Sequence, residues 1–248
     1  MRNDRRYFKN CCREGGIGPG GRENMTYKAV DIIRKSDVIV GYAPYIEYLG
    51  DLVEGKELFS TGMKGEIERC NKAIDMVKKG NNTAIISTGD AGLYGMAGPI
   101  LELAEDIEVE IVPGVTAAFS AASELGSPIM HDYVSISLSD LLTPWEVIEN
   151  RLNKAAEADF VITIYNPKSK GRKHHIERAI ELISKYRDEK TPVGIVKNSG
   201  RPNTQIMITT LAKIDYELVN MFCTLIIGNS NSFIKDDKII TPRGYVIK

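Results

Sequence analysis

Thr83-Ala84-Ile85-Ile86 is a short, apolar, partly β-branched run, and Ser87-Thr88-Gly89-Asp90-Ala91-Gly92-Leu93-Tyr94-Gly95 follows it directly. A run of that length reads as a buried strand over 83–87. Met96 to Leu103 reads as a helix. The stretch between them is therefore a strand-to-helix loop, where open α/β sheets bind ligands. Its glycines let a ligand come close to the backbone, and Asp90 can accept hydrogen bonds from ribose hydroxyls or an amine. The same residues also read as an ordinary tight turn with a solvated Asp90.

The rest of the chain repeats this alternation. An amphipathic helix is expected from Thr26 to Lys35, burying Ala29, Val30, Ile32 and Ile33. Val38–Val40 is a strand, with Tyr42, Tyr45 and Tyr48 in the loop and short helix after it. Gly65 to Lys79 reads as a helix with Ile67, Cys70, Ile74 and Val77 on one face, stopped by Gly80. Val109–Val112 is a strand, and Thr116–Leu125 a helix of small residues. Gly126-Ser127-Pro128 is the best boundary between halves. Beyond it, strands are expected at 134–138, 160–164, 193–196, 205–209 and 224–227, with helices over 143–156 and 174–186. Thr143-Pro144-Trp145-Glu146 fits a helix start with Thr143 as the cap. The expected class is α/β, with an irregular segment over 1–15 and α/β domains over 16–127 and 128–248.

Composition narrows the function. The 248 residues carry a net charge of −1, which leaves no global basic field for nucleic acid. No apolar run approaches the ~20 residues that cross a bilayer. The four cysteines show no C-x-x-C spacing, and reduced thiols in the cytoplasm are the simplest reading. No metal site is expected. Gly16, Gly18 and Gly21 match G-x-G-x-x-G, but Asn10–Glu14 does not read as the strand that must precede a dinucleotide loop, and Asp37 falls before the second strand. A nicotinamide dehydrogenase is therefore a distant reading.

Read together, several loops resemble one family. Gly-Ile-Gly-Pro-Gly at 16–20, Thr-Gly-Asp-Ala-Gly-Leu-Tyr-Gly at 88–95 and Val-Pro-Gly-Val-Thr-Ala-Ala at 112–118 are similar to loops of the tetrapyrrole methylases. The second half carries Met130–Tyr133, Ser137–Glu146, Tyr165–Arg172 and Ile226–Ser230. These resemble the branch that methylates C-17 of precorrin-3B with ring contraction, in cobalamin biosynthesis. The family begins with an apolar strand leading into the first glycine cluster. Here that place holds Phe8-Lys9-Asn10-Cys11-Cys12-Arg13-Glu14, so the first strand is expected to be poor or missing.

The resemblance implies a two-domain α/β homodimer, with S-adenosylmethionine between the domains and a tetrapyrrole beside it. By position it assigns Pro19, Thr88, Gly89, Asp90, Leu93, Tyr94, Thr116, Ala117, Asn166 and Ser199 to the donor. Backbone groups of small-residue loops suit a ligand with polar groups on every side. Methyl transfer to an electron-rich macrocycle needs positioning and no enzyme nucleophile. Ring contraction adds proton transfers, for which His131, Asp132 and Asp140 are expected to act. Those residues also read as a pinned linker and a turn cap. Lys168, Lys170 and Arg172 are expected to hold substrate carboxylates, or else to form a solvated loop. Trp145, with Tyr42 and Tyr45, is expected to stack on the macrocycle or to pack in the core. The alternatives are a methylase of the same fold acting at another carbon, and a non-catalytic tetrapyrrole carrier.

Overall fold

Cys11–Gly16 is a strand, β1, and its six residues are all buried. It opens a computed structural model that describes residues 11–246. The expectation of an irregular 1–15 segment therefore fails over 11–15, and residues 1–10 of that segment lie outside the described residues. In chain order there follow α1 (Tyr27–Lys35), β2 (Val38–Tyr42), α2 (Ala43–Glu47), β3 (Glu57–Thr61), α3 (Glu66–Lys78), β4 (Thr83–Ser87), α4 (Ala97–Leu103) and β5 (Glu108–Val112). The strands form one sheet in the order β3-β2-β4-β1-β5, and every pairing is parallel.

β1 forms because its neighbours complete it. Pairing with β4 on one side and β5 on the other satisfies its backbone on both edges. Its charged side chains are met one by one. Arg13 Nε lies 3.3 Å from Glu110 Oε2, and Lys28 Nζ sits 2.7 Å from the other oxygen of Glu110. Partial burial works against ionisation of Glu110, but the lysine and the arginine outweigh it and hold its carboxyl below the usual range. Glu14 Oε1 accepts a hydrogen bond from Ser87 Oγ at 2.6 Å. Cys12 joins the apolar cluster under α3 and α4, with Cys70, Val77, Ile85 and Ile100. The cluster on the sheet's other face seats α1 and includes Ile17, Ile32, Ile33 and Ile39.

Helix starts follow local chemistry in one case and not in another. Thr26 caps α1 by accepting from the Ala29 amide at 3.1 Å. Thr143 does not cap α6 (Trp145–Glu157): Pro144 occupies the cap position, and no side chain caps the helix. In α3, Cys70, Ile74 and Val77 are buried as expected, but Ile67 is exposed.

The chain divides into two compact units, 1–117 and 118–248, ahead of the turn at 126–128 expected to separate them. α5 (Ala117–Leu125) belongs with the second unit because Ala121, Ala122 and Leu125 pack on Val161, Val196 and Ile226. That unit continues with β6 (Gly126–Ser127), β7 (Tyr133–Ser137), α6, β8 (Val161–Tyr165), α7 (His175–Ile183), β9 (Pro192–Lys197), β10 (Gln205–Thr210), β11 (Cys223–Ile227), β12 (Phe233–Lys235) and β13 (Lys238–Ile240). Its main sheet is mixed, in the order β10-β9-β11-β8-β7, and β12, β13 and β6 form a small third sheet. Among the described residues no helix is long and apolar enough to cross a membrane, and no group of acids, cysteines or histidines is placed to hold a metal. All four cysteines are buried and free, and burial pushes the Cys12 thiol up to about 12.

Candidate active site

In the first unit three loops leave the carboxyl ends of adjacent strands β4, β1 and β5 and meet backbone to backbone. The Gly18 amide donates to the Gly89 carbonyl at 3.1 Å, and the Gly89 amide donates back to the Gly18 carbonyl at 2.8 Å. Both residues have positive φ, +74° and +72°, where a side chain would strain the backbone. A Cβ on Gly16 would come within 2.7 Å of the Gly114 amide nitrogen, so the β1 and β5 loops also touch with no side chain between them.

Asp90 binds these loops to each other. Its Oδ1 accepts from the Gly92 amide at 2.8 Å, and its Oδ2 accepts from the Gly114 amide at 3.0 Å. Asp90 is thus half-buried and bonded to two loop amides, and a carboxylate keeps further lone pairs after two such bonds. Gly89 faces the backbone of Thr116 and Ala117, at 3.8 and 3.7 Å from its would-be Cβ. Pro19 is buried next to Gly18, Leu93 is half-buried, and Tyr94 is exposed with φ +58°. The structure therefore gathers Pro19, Thr88, Gly89, Asp90, Thr116 and Ala117 at one strand-end edge.

The second unit has its own such edge. β7 and β8 are parallel, so Ser137–Asp140 and Tyr165–Arg172 leave from the same end. Asn166, at φ +52°, donates through Nδ2 to Ser137 Oγ at 2.9 Å. The start of α5 is tied to this edge twice. The Ala118 amide donates to the Tyr165 hydroxyl at 2.8 Å, and the Ser120 and Ser199 hydroxyls lie 2.7 Å apart.

The three residues expected to move protons are not one group. His131 and Asp132 precede β7 and Asp140 follows it, so the five-residue strand holds them ~16 Å apart at opposite ends. His131 Nδ1 accepts from the Asp132 amide at 2.8 Å. Asp140 instead meets a partner that sequence spacing did not suggest: His175 Nε2 lies 3.1 Å from its Oδ2, and Arg172 Nη1 lies 3.9 Å from its Oδ1. Burial works against ionisation of Asp140, but the His175 hydrogen bond, its own backbone amide and Arg172 outweigh that and hold its carboxyl below the usual range. Trp145 packs its indole against the His175 ring, with centroids 4.3 Å apart, and donates to Glu149 Oε1 at 3.0 Å. Trp145 also lies against the apolar core, so packing accounts for much of it.

The basic run is likewise divided. Lys168 Nζ donates to the Tyr216 carbonyl at 2.9 Å, Arg172 turns to Asp140, and Lys170 is exposed. Tyr42 and Tyr45 pack edge to face with each other, 5.0 Å between centroids. A groove of about 610 Å³ runs along β7 and α6, and none of these loop residues lines it.

The profile of the tetrapyrrole (corrin/porphyrin) methylases matches residues 16–215. This chain belongs to the tetrapyrrole methylases. A probable cobalt-factor III C(17)-methyltransferase of Salmonella typhimurium is 48% identical over 236 residues, covering 94% of this chain and 98% of the relative. The crystal structure of the methyltransferase CobJ superposes with a TM-score of 0.89 at 30% identity, covering 93% of this chain and 99% of that one. A uroporphyrin-III C-methyltransferase from Thermus thermophilus, solved with S-adenosylhomocysteine, shares the fold at a TM-score of 0.66 and 21% identity, covering 88% and 91%.

Proposed function

We propose that this tetrapyrrole methylase transfers a methyl group from S-adenosylmethionine to C-17 of a cobalt-factor III or precorrin-3B type macrocycle, with ring contraction, as a cytoplasmic homodimer. The 48% identity to the Salmonella relative, running the length of both chains, carries this reading. Bound at this site, S-adenosylmethionine supplies an electrophilic methyl group.

The first unit suits that donor. Its strand-end loops meet through glycine backbone with no side chain between them, and Asp90 supplies a fixed negative charge beside them. On this reading Thr88, Gly89, Asp90, Leu93, Thr116 and Ala117 hold the donor, with Pro19 and Tyr94 at its rim. The resemblance assigns Asn166 and Ser199 to the same ligand. Holding donor and acceptor carbon in line supplies much of the rate, up to ~7–11 kcal/mol in favourable cases.

For the proton transfers of ring contraction we assign Asp140 together with His175, because that pair is hydrogen-bonded while His131 and Asp132 stand at the other end of β7. Asp140 orients the imidazole and keeps its own charge, leaving His175 Nδ1 to exchange protons. Exposed Lys170 meets substrate carboxylates. The deciding experiment is incubation with S-adenosylmethionine and cobalt-factor III, followed by mass analysis. One added methyl, with contraction slowed ~100-fold or more in His175→Ala, is expected. Binding of the macrocycle without methyl transfer would identify a carrier instead.

A further inference from the structure

We propose that Glu14 is a specificity-determining residue for the donor: its buried carboxyl gives up a proton as a cationic ligand settles on the 88–94 loop, so that the protein holds the sulfonium donor in preference to the uncharged thioether product. This rests on the donor assignment above.

The geometry is unusual for a carboxyl. Glu14 is 0% exposed, on β1, which lies between β4 and the edge strand β5 of an all-parallel sheet. Its Oε1 takes the Ser87 hydroxyl at 2.6 Å, and Ser87 Oγ in turn accepts from the Met96 amide at 3.0 Å. One carboxyl oxygen is thereby joined to both ends of the loop that carries Thr88 to Tyr94. The other oxygen, Oε2, is buried with no hydrogen-bond partner. A buried polar atom left unpaired is costly, and a buried unpaired charge costs more.

Among the described residues no cation pairs with it. From its own strand its face of β1 carries Cys12, and from α3 it carries Cys70, whose thiols burial pushes up to about 12 and about 11. From β4 come Ile85 and Ser87, and from the loop beyond comes Asp90, a second negative charge. Arg69 of α3, itself buried, is turned to Thr61, Gly62 and Glu66, and its Nη2 lies 3.9 Å from Met96 Sδ. Arg13 points to the opposite face, where it meets Glu110. Burial above all, with Asp90 adding to it and Ser87 and the Met96 amide opposing, raises the Glu14 carboxyl to about 7.

A group poised in this way responds to a charge placed on the loop. A sulfonium there favours the ionised carboxylate, and by reciprocity the ionised carboxylate favours the sulfonium. The proton passes from the carboxyl to the solvent buffer. The thioether product carries no such charge, so it gains nothing from ionisation and is the more readily released. For unit charges about 10 Å apart at a protein-like dielectric, the effect is roughly fivefold to twentyfold in relative affinity.

Titration calorimetry of the full chain tests this, with S-adenosylmethionine and S-adenosylhomocysteine in two buffers of different ionisation enthalpy, for wild type and Glu14→Gln. Wild type is expected to release more protons with the donor than with the product near pH 7. Its product-to-donor Kd ratio is expected to rise roughly threefold to sevenfold from about pH 6 to about pH 8. In Glu14→Gln both effects are lost, and comparing the same ligands on both proteins cancels the ligands' own titration. Glu14→Met takes its place if the glutamine variant does not fold. Equal proton release and equal Kd ratios in wild type and variant overturn the proposal while leaving the donor assignment standing. Failure of either ligand to bind wild type overturns both.

Discussion

β1 and β8 both run inside five-stranded sheets, yet β1 reads Cys-Cys-Arg-Glu-Gly-Gly and β8 reads Val-Ile-Thr-Ile-Tyr. β8 is buried by composition. Its Ile162 and Ile164 join a core that includes Leu138, Leu152 and Leu225, and shedding apolar surface stabilises it wherever a sheet will accept it. β1 is buried by position. Parallel pairing on both edges places it in the interior, and each charge must then find a partner or change its protonation state. Arg13 has Glu110; Glu14 has half of what it needs. An apolar interior strand is therefore indifferent to pH, and a polar one is not.

That contrast can be tested by substitution. The largest effect is expected in β8: Ile164→Ala opens a cavity and costs about 2–5 kcal/mol by urea denaturation, with the same loss at every pH. In β1 the loss depends on pH. The Glu14 carboxyl is raised from 4.5 to about 7 in the folded chain. A raised acid contributes stability that is fully present below its unfolded value and is lost as pH rises through its folded value. Wild type should therefore lose roughly 3 kcal/mol between about pH 4.5 and about pH 8 relative to Glu14→Gln, read as a diverging pair of denaturation midpoints. Parallel midpoints would mean that β1 tolerates its charge as easily as β8 tolerates isoleucine. A smaller effect is expected from Ser87→Ala, about 1–3 kcal/mol, because it strips a partner from both Glu14 Oε1 and the Met96 amide. Ser87 holds the carboxyl down, so this variant should also move the pH transition upward.

The same contrast explains what the sequence showed. β8, β4 and β9 were legible because apolar β-branched runs between turn residues have few other fates. The loops at 88–95 and 112–118 were legible because small residues at strand ends have few other uses. β1 was not, because nothing within Cys11–Gly16 announces a strand; the information lies in β4 and β5, on either side of it. The Asp140–His175 pair was missed for a related reason: parallel pairing of β7 and β8 brings together residues 35 apart. His131 and Asp132 lie before β7 and Asp140 after it, and the extended strand between them sets them apart, which their nearness in sequence does not reveal. Thr143 had the right chemistry for a cap, but the helix begins at Trp145 with Pro144 before it. The boundary expected at 126–128 fell after α5 because turn residues there mark the end of a helix that packs on the following sheet.

The reciprocal amide pair between Gly18 and Gly89 has a consequence for anyone wishing to retailor this protein. Two loops clasped through main-chain atoms keep their spacing whatever side chains their neighbours carry. Libraries that randomise Leu93 should thus yield mostly folded members, whereas diversity introduced at either glycine should be purged in the first round of selection.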